Sequence, residues 1–533
     1  MSEQKAYITL DTLYVNGKAA IVARHPDGTS SVVRSTDLYL SWPDRKNVSD
    51  DFTVFGNSVN VEHFGHDVGS FFKKRKQLTE AHQTFYGDWK MQTLRLNKSE
   101  ATLSETAVCY YDIETKFDPS QPFSMDSPHE IISISFVIDA PSGIHEYLIW
   151  CVKGHKYDGV TVVECENEED LLSNAFRIVH EHNVTIMSAW NGEAFDDVIC
   201  QRRTGMYPST KNKMSPYHKK AIDQELVTRR NKVAVKGMVL LDAMILYQTF
   251  TFGGRASYKI DYIAKYEGHE SGKQEYEGTL MDLYNNDPHK FGLYNIQDAR
   301  LVAWICKKCM LLENAMTLAQ TSKIPIGAVT GQTSVWRSLV DDAILSAGIY
   351  PEERQVFSGA PLKGAYVDAT RGVHRDIATF DYASLYPNST VATNNSPETF
   401  LGCIEGEYEE VDAVLPGEEA LVDIRATAQK WHIMDIAEIK SIEECSEPMI
   451  ASFVTHYNTR PQTLKELKKG LVAVSGYDGP VCIAPNGAVF RTDRVGILPE
   501  LISKLFSLRK AKKKEQLRYE SLEYEIMHNV DNF

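Results

Sequence analysis

No run of about 18 consecutive apolar residues occurs in this 533-residue chain, so the sequence offers no transmembrane helix and no membrane partner is expected. The N-terminus, Met-Ser-Glu-Gln-Lys, lacks the apolar core of a secretory signal. Cysteines are few and scattered, nine in all; this excludes a disulfide scaffold and suits a reducing cytoplasm. The CxxC formed by Cys306 and Cys309 lies in a helical pattern without a second pair, which argues against zinc. Positive charge is not in excess: 57 Lys and Arg stand against 72 Asp and Glu, a net charge of −15. That excludes a generally adhesive nucleic-acid binder, but not one with a local basic stripe, because phosphate contacts depend on local charge. Gly268-His269-Glu270-Ser271-Gly272-Lys273 is one residue short of a P-loop and lacks its Ser/Thr. What remains has the composition of an ordinary globular chain, 43% hydrophobic and 24% charged, long enough for roughly three or four domains.

Acidic residues at strand and helix ends carry the most information. Val108 to Thr115 reads as a buried strand ending in Asp112 and Glu114. Residues two apart on a strand share a face, so these carboxylates project together. Like charges that close are unfavourable unless a cation sits between them, and hard oxygen donors suit Mg²⁺ or Mn²⁺. Alone, such a pair is more often a solvated strand edge. A second site follows the strand Val184 to Trp190: Asn191-Gly192-Glu193-Ala194-Phe195-Asp196-Asp197, with a helix beginning near Asp196. Asp at a helix start is commonly just an N-cap. A third lies in a helix expected over residues 289–318. There Tyr294 and Asp298 are four apart and share a face, although Asp is mildly unfavourable in a helix interior.

The intervening pattern is Ala107–Ile113, Ile131–Ile138 and Tyr147–Val152 as strands, Glu168–Glu181 as a helix, then Val184–Trp190 as a strand. This predicts the opening of an RNase H-like layer. Short strands are expected at Tyr7–Leu10, Ala19–Ala23 and Ser31–Val33. A hairpin with a basic tip is expected around Arg229–Leu241. Lys73-Lys74-Arg75-Lys76 reads as a solvated surface or a nucleic-acid contact. Arg375 to Asp381 is expected to be another strand ending in Asp, running into Tyr382-Ala383-Ser384-Leu385-Tyr386-Pro387. Residues 405–447 are acidic and surface-like. Gly496 to Met527 reads as one long helix with an apolar stripe at Leu498, Leu501, Leu505 and Leu508, and a basic middle from Arg509 to Arg518.

Taken together and in order, Asp112-Ile113-Glu114, Asn191…Phe195-Asp196 and Tyr294…Asp298 resemble the three exonuclease motifs of family B DNA polymerases. Asp381…Ser384-Leu385-Tyr386-Pro387 resembles that family's first polymerase motif. The T-even-type phage branch is the most similar, with support from Ala256–Ile263 and Asn394-Asn395-Ser396-Pro397-Glu398-Thr399. The resemblance implies an α/β multidomain chain. An RNase H-like 3′–5′ exonuclease domain (107–311) would be inserted in an N-terminal mixed α/β domain (1–106, with 312–352 returning to it). A partial palm (353–496) and the first fingers helix (497–533), half of a helical hairpin, would follow. It implies Asp112, Glu114, Asp196 and Asp298 as ligands of two Mg²⁺ or Mn²⁺ ions, and Tyr294 as the residue orienting the attacking water. Asn191 and Phe195 would contact DNA. Asp381 and the Tyr382 carbonyl would be polymerase metal ligands. Ser384, Leu385, Tyr386, Arg509 and Lys513 would bind the nucleotide. Implied partners are primer–template and single-stranded DNA, deoxynucleoside triphosphates and, as polymerases of this branch can do, the chain's own messenger RNA. The setting implied is the cytoplasm of an infected bacterium.

Departures from the family pattern set further expectations. The Lys…Asn-Ser-x-Tyr-Gly motif of the second fingers helix, the Asp-Thr-Asp palm motif and the thumb are not found in the sequence. Asn388 stands where Ser usually follows Tyr-Pro. The chain is therefore expected to be the N-terminal subunit of a split polymerase, or a truncation product. It would need a C-terminal polypeptide for DNA synthesis, docked on the apolar stripe of residues 498–508. A non-catalytic translational regulator and a stand-alone exonuclease remain the alternatives.

Overall fold

A computed structural model describes residues 8–80, 102–116, 129–218, 222–225, 231–270, 278–351, 371–406, 451–454, 461–462, 477–484 and 488–529, with gaps at 16–17, 33–37, 45, 47–48, 53–57, 66, 376 and 382–383. The chain divides into two compact units. The first comprises Met1–Leu40, Val61–Gln83 and Gly87–Leu339; the second comprises Ser41–Asn60, Thr84–Tyr86 and Val340–Phe533.

The first unit opens with an antiparallel meander, β1 (Thr9–Val15), β2 (Lys18–Arg24) and β3 (Ser30–Val32), and the helix α1 (Val68–Glu80). Its centre is a six-stranded sheet. β4 (Val108–Thr115), β5 (Ile131–Ala140) and β6 (Gly143–Trp150) form a second meander, and β7 (Val160–Glu164) lies parallel to β6 at one edge. Helix α2 (Glu168–Glu181) carries the chain back to β8 (Ile186–Ala189), which pairs parallel to β4. After α3 (Asp196–Met206) come a small hairpin, β9 (Ile222–Glu225) with β10 (Asn231–Ala234), and then β11 (Val239–Asp242), which pairs parallel to β8. The order is β11-β8-β4-β5-β6-β7, consistent with an RNase H-like sheet. Helices α4 (Ala243–Phe250), α5 (Ile260–Tyr266), α6 (Leu280–Asn286), α7 (Pro288–Lys308) and α8 (Leu311–Ser322) follow.

Side-chain alternation divides the core between the two faces of this sheet. On β4, Cys109, Tyr111 and Ile113 pack with Leu171, Phe176 and Val179 of α2 and Val198 and Ile199 of α3. Val108 and Tyr110 pack on the opposite side with residues of α4, α5, α7 and α8. β5 reads Ile-Ile-Ser-Ile-Ser-Phe-Val-Ile-Asp-Ala and is buried from Ile131 to Ile138. This is the β-branched, two-faced composition of a central strand, and each such apolar side chain contributes about 1.5–3 kcal/mol. Helix ends are specified locally. Asn167 caps α2 by accepting the Asp170 N–H at 3.0 Å, and Asp287 caps α7 by accepting that of Lys290 at 3.0 Å ahead of Pro288. Gly292 lets α7 lie close to the sheet, since a Cβ there would overlap the Tyr157 ring.

Three sequence expectations are corrected, and one strand was not foreseen. The single helix over 289–318 is two, broken at Met310, whose φ is 51°; burial of Leu311, Leu312 and Ala315 offsets that left-handed residue. Val233–Leu241 is not one arm of a hairpin: β10 ends at Ala234, and Val239–Asp242 joins the large sheet, where all four residues are buried. β7 was not anticipated, because its half-exposed edge position leaves only a weak pattern. The described residues of 371–381 contain no strand: among the described residues no neighbouring strand pairs with them, and an extended segment without a ladder leaves its backbone groups to water. Residues 407–450, the bulk of the acidic segment, lie outside the described residues.

The second unit contains α9 (Leu385–Ala392), an antiparallel sheet of β12 (Phe400–Gly406), β13 (Ala451–Val454), β14 (Pro461–Gln462), β15 (Val481–Ile483) and β16 (Ala488–Arg491), and the long helix α10 (Ile497–Asn529). The Asn394–Thr399 segment caps α10 from about a hundred residues away. Asn394 Oδ1 accepts the Gly496 N–H at 2.8 Å, Glu398 Oε1 accepts that of Ile497 at 2.6 Å, and Ser396 Oγ accepts that of Leu498 at 3.2 Å. Asn394 Nδ2 also donates to the carbonyls of Arg491 at 2.6 Å and Arg494 at 2.9 Å. Asn394 itself has φ 54°, a conformation Asn tolerates better than Ala. Asn394→Ala is therefore expected to destabilise the start of α10 by about 3 kcal/mol, from lost hydrogen bonds and backbone strain. Hydrogen exchange at the amides of 496–498 should accelerate more than a hundredfold; unchanged exchange there would refute the capping role.

Candidate active site

Strand alternation that buries Val108 and Tyr110 on one face carries Asp112 and Glu114 onto that same face, against α7. There they meet Asp298. Carboxylate oxygens of Asp112, Glu114 and Asp298 lie within 4.8 Å of one another. Asp112 and Glu114 are half-buried and Asp298 is buried. Three carboxylates at this separation repel strongly in a partly dry site. A donor set made wholly of hard oxygens fits a divalent cation of the Mg²⁺ or Mn²⁺ type.

Asp196 is buried at the first turn of α3. The recorded pairing of β8 with β4 runs only to Tyr110, and the Ile113 N–H beyond it is accepted by Asp196 Oδ1 at 3.3 Å. Burial, with Asp112 and Asp197 adding to it, holds the Asp196 carboxyl well above the usual carboxylate range; a nearby cation would act in the opposite sense. Asp197 accepts a short hydrogen bond from the buried Tyr111 hydroxyl. Thus three of the four expected ligands come together, and Asp196 stands beside them. Tyr294 is buried in an apolar cluster with Ile132, Leu148, Trp150 and Phe291. Asn191 adopts φ 66° where the chain leaves β8, and Phe195 packs at the edge of the core just before α3. These two residues shape the turn that delivers Asp196.

The sequence reading passed over Asn295. It is fully buried and its Nδ2 donates to Asp112 Oδ2 at 2.8 Å. Its Oδ1 accepts from Ser133 Oγ at 2.6 Å, and its carbonyl accepts from Ser135 Oγ at 2.7 Å. The available signal was the pair of hydroxyls alternating in an otherwise apolar strand, which marks a face turned toward polar partners.

In the second unit, Asp381 is exposed and outside regular structure, and Tyr382 lies outside the described residues. Ser384 has φ 54° at the start of α9, with Leu385 and Tyr386 exposed beside it. Arg509 and Lys513 are exposed on α10. Of the expected docking stripe, Leu498, Leu501 and Leu505 are half-buried and Leu508 is exposed, with Ile502 buried beside them. Further exposed apolar residues of α10 include Leu517, Leu522 and Ile526.

The six-stranded sheet, with clustered carboxylates on its strand β4, is consistent with an RNase H-like exonuclease domain. The sequence profile of the DNA polymerase family B exonuclease domain matches residues 60–263, a span that includes Asp112, Glu114 and Asp196. Exonuclease domains of this family are metal-dependent, in keeping with the acidic cluster. Among known proteins, the chain is similar to the DNA-directed DNA polymerase of Escherichia phage RB69, 26% identical over 250 residues, which is 46% of this chain and 28% of that polymerase. It is equally similar to that of Enterobacteria phage T4, 26% identical over 255 residues, again 46% and 28%. The DNA polymerase catalytic subunit of Equine herpesvirus 2 is 25% identical over 319 residues, 55% of this chain and 31% of that subunit. These matches span less than a third of the length of each relative. Among the described residues, no helix is long and apolar enough to cross a membrane.

Proposed function

We propose that this chain removes nucleotides from DNA 3′ ends as the proofreading exonuclease of a family B replicative polymerase, and that it contributes the first polymerase motif to DNA synthesis. The observation that carries the exonuclease reading is the Asp112–Glu114–Asp298 cluster, with oxygens within 4.8 Å; Asp112 and Glu114 fall within residues 60–263, which the exonuclease-domain profile matches. These three residues and Asp196 would hold the divalent ions. When bound, such ions activate water and offset negative charge at the phosphate under attack. The protein's own part is to fix the carboxylates, hold the water through Tyr294, and seat the 3′-terminal nucleotides beside Asn191 and Phe195. No general-base histidine is needed.

For synthesis, Asp381 with Tyr382 would bind metal. Ser384, Leu385 and Tyr386 would receive the nucleotide, and Arg509 and Lys513 its phosphates. Arg509 and Lys513 make no ion pair among the described residues, which leaves them available for phosphate. A single palm carboxylate does not hold two ions against a triphosphate, so synthesis is proposed to need the family's remaining motifs, supplied by polypeptide beyond these 533 residues. The proposed assignment of residues is 107–311 to the exonuclease, 353–496 to a partial palm and 497–533 to the fingers. The test uses the 533-residue chain, a 3′-recessed labelled primer–template, Mg²⁺ and all four deoxynucleotides. Shortening without extension is expected. Extension by the chain alone would overturn the need for those motifs; DNA binding with neither outcome would favour a regulator.

A further inference from the structure

We infer that Asn295, held by Ser133 and Ser135, is a positioning residue that orients the Asp112 carboxylate toward Glu114 and Asp298 and thereby sets the affinity of the site for divalent metal. This rests on the exonuclease reading of the same site. In the β4–β5 ladder, Ser133 lies opposite Glu114 and Ser135 opposite Asp112. On this antiparallel pair, opposite residues share a face, so both serines stand beneath α7 with the two carboxylates. All three polar residues are buried: Asn295 and Ser133 at 0% exposure and Ser135 at 1%. Their hydrogen bonds are what make that burial tolerable.

The direction of each bond gives the arrangement its function. A carboxylate only accepts, so Asn295 must present its NH₂ group to Asp112 Oδ2, at 2.8 Å. An amide could equally turn its oxygen toward the carboxylate, which would repel it. The acceptor-only carboxylate settles that orientation, and the Ser133 hydroxyl completes it by donating to Asn295 Oδ1 at 2.6 Å. The Ser135 bond to the Asn295 carbonyl pins that turn of α7 to the strand. The relay Ser133–Asn295–Asp112 therefore fixes one oxygen of Asp112 and holds the carboxylate plane in the orientation that faces its two acidic neighbours. Groups that orient metal ligands in this way commonly alter metal affinity by about 10- to 100-fold when removed.

Calorimetric titration of the full chain with Mn²⁺, alongside excision of a single-stranded oligonucleotide across a range of Mn²⁺ concentrations, tests the inference. Asn295→Ala is expected to weaken Mn²⁺ binding by at least about tenfold, and to lower the excision rate at saturating Mn²⁺ by a smaller factor. Ser133→Ala, which leaves every carboxylate and the amide in place, should shift Mn²⁺ affinity in the same direction by about threefold, and it serves as the readout if Asn295→Ala does not fold. A merely structural role would lower the thermal midpoint while leaving the Mn²⁺ affinity of the folded protein unchanged; that result in both variants overturns the inference. If the unaltered chain binds Mn²⁺ and Asn295→Ala weakens it, yet neither cleaves DNA, the exonuclease reading fails and the positioning role stands.

Discussion

Replacing Asp112 by Ala should lower 3′–5′ excision of single-stranded DNA by at least about 10³-fold, equivalent to roughly 4 kcal/mol of barrier. Three observations place the effect at this level. Asp112 is one of three carboxylates whose oxygens lie within 4.8 Å, so its loss removes a ligand and a unit of the charge that attracts a divalent ion. It also receives the buried Asn295 amide, which would be left facing a void. And, after burial, its charge is among the causes that raise the neighbouring Asp196 carboxyl above the usual carboxylate range, so its loss changes the electrostatics of a second expected ligand. The companion variant Asp112→Asn separates chemistry from folding. It keeps the shape and still accepts a hydrogen bond, but removes one of the repelling charges. Without metal its thermal midpoint should equal or exceed that of the unaltered chain, while excision stays lost. Near-normal hydrolysis by Asp112→Ala would remove the acidic cluster from the reaction. Adding a chelator to the unaltered protein should produce the same loss and should be reversed by Mg²⁺.

Much of this site was legible because β-strand alternation is a local property. Once Cys109, Tyr111 and Ile113 are assigned to one buried face, Asp112 and Glu114 must share the other, and the structure places α7 over it. The spacing of Tyr294 and Asp298 on one helix face was equally local. Asn295 was not legible, although it adjoins Tyr294. An interior amide gains meaning only when Asp112, 183 positions away, and Ser133, 162 positions away, are brought against it. The break at Met310 escaped for a similar reason: no Gly or Pro marks it, and burial of the residues that follow outweighs the local preference for continuing the helix. The strand before Asp381 failed in the other direction. Its pattern suits a strand, yet a strand needs a neighbour, and among the described residues none pairs with it. The Asn394–Thr399 segment was noticed only through its likeness to the phage branch. Its physical role as a remote cap on α10 follows from bonds to residues 491–498, which sequence spacing does not reveal.

The largest expected loss of stability comes from Arg203→Leu, in the support beneath the site. Glu168, the first residue of α2, is 2% exposed. Its carboxylate accepts the Ile131 N–H at 2.7 Å, Arg203 Nε at 2.7 Å and the Tyr207 hydroxyl at 2.5 Å, with a further short contact to Arg203 Nη2. The fork of Arg203 is thus the positive partner of a buried negative charge, in a geometry Lys could not reproduce. Removing it while leaving Glu168 in place should cost about 3–5 kcal/mol. In a unit of this size that corresponds to a fall of very roughly 6–20 °C in thermal midpoint. Replacing both partners, Glu168→Gln with Arg203→Leu, should recover much of the loss, because the penalty lies in the stranded charge more than in the missing bond. Additive losses in the double variant would refute the pairing. The consequence reaches the site through β5. Ile131, whose N–H Glu168 holds, begins the strand that carries Ser133 and Ser135, and these anchor Asn295 beside Asp112. Arg203→Leu should therefore weaken Mn²⁺ binding as well as stability, by less than Asn295→Ala does. Glu168→Gln with Arg203→Leu should restore both together.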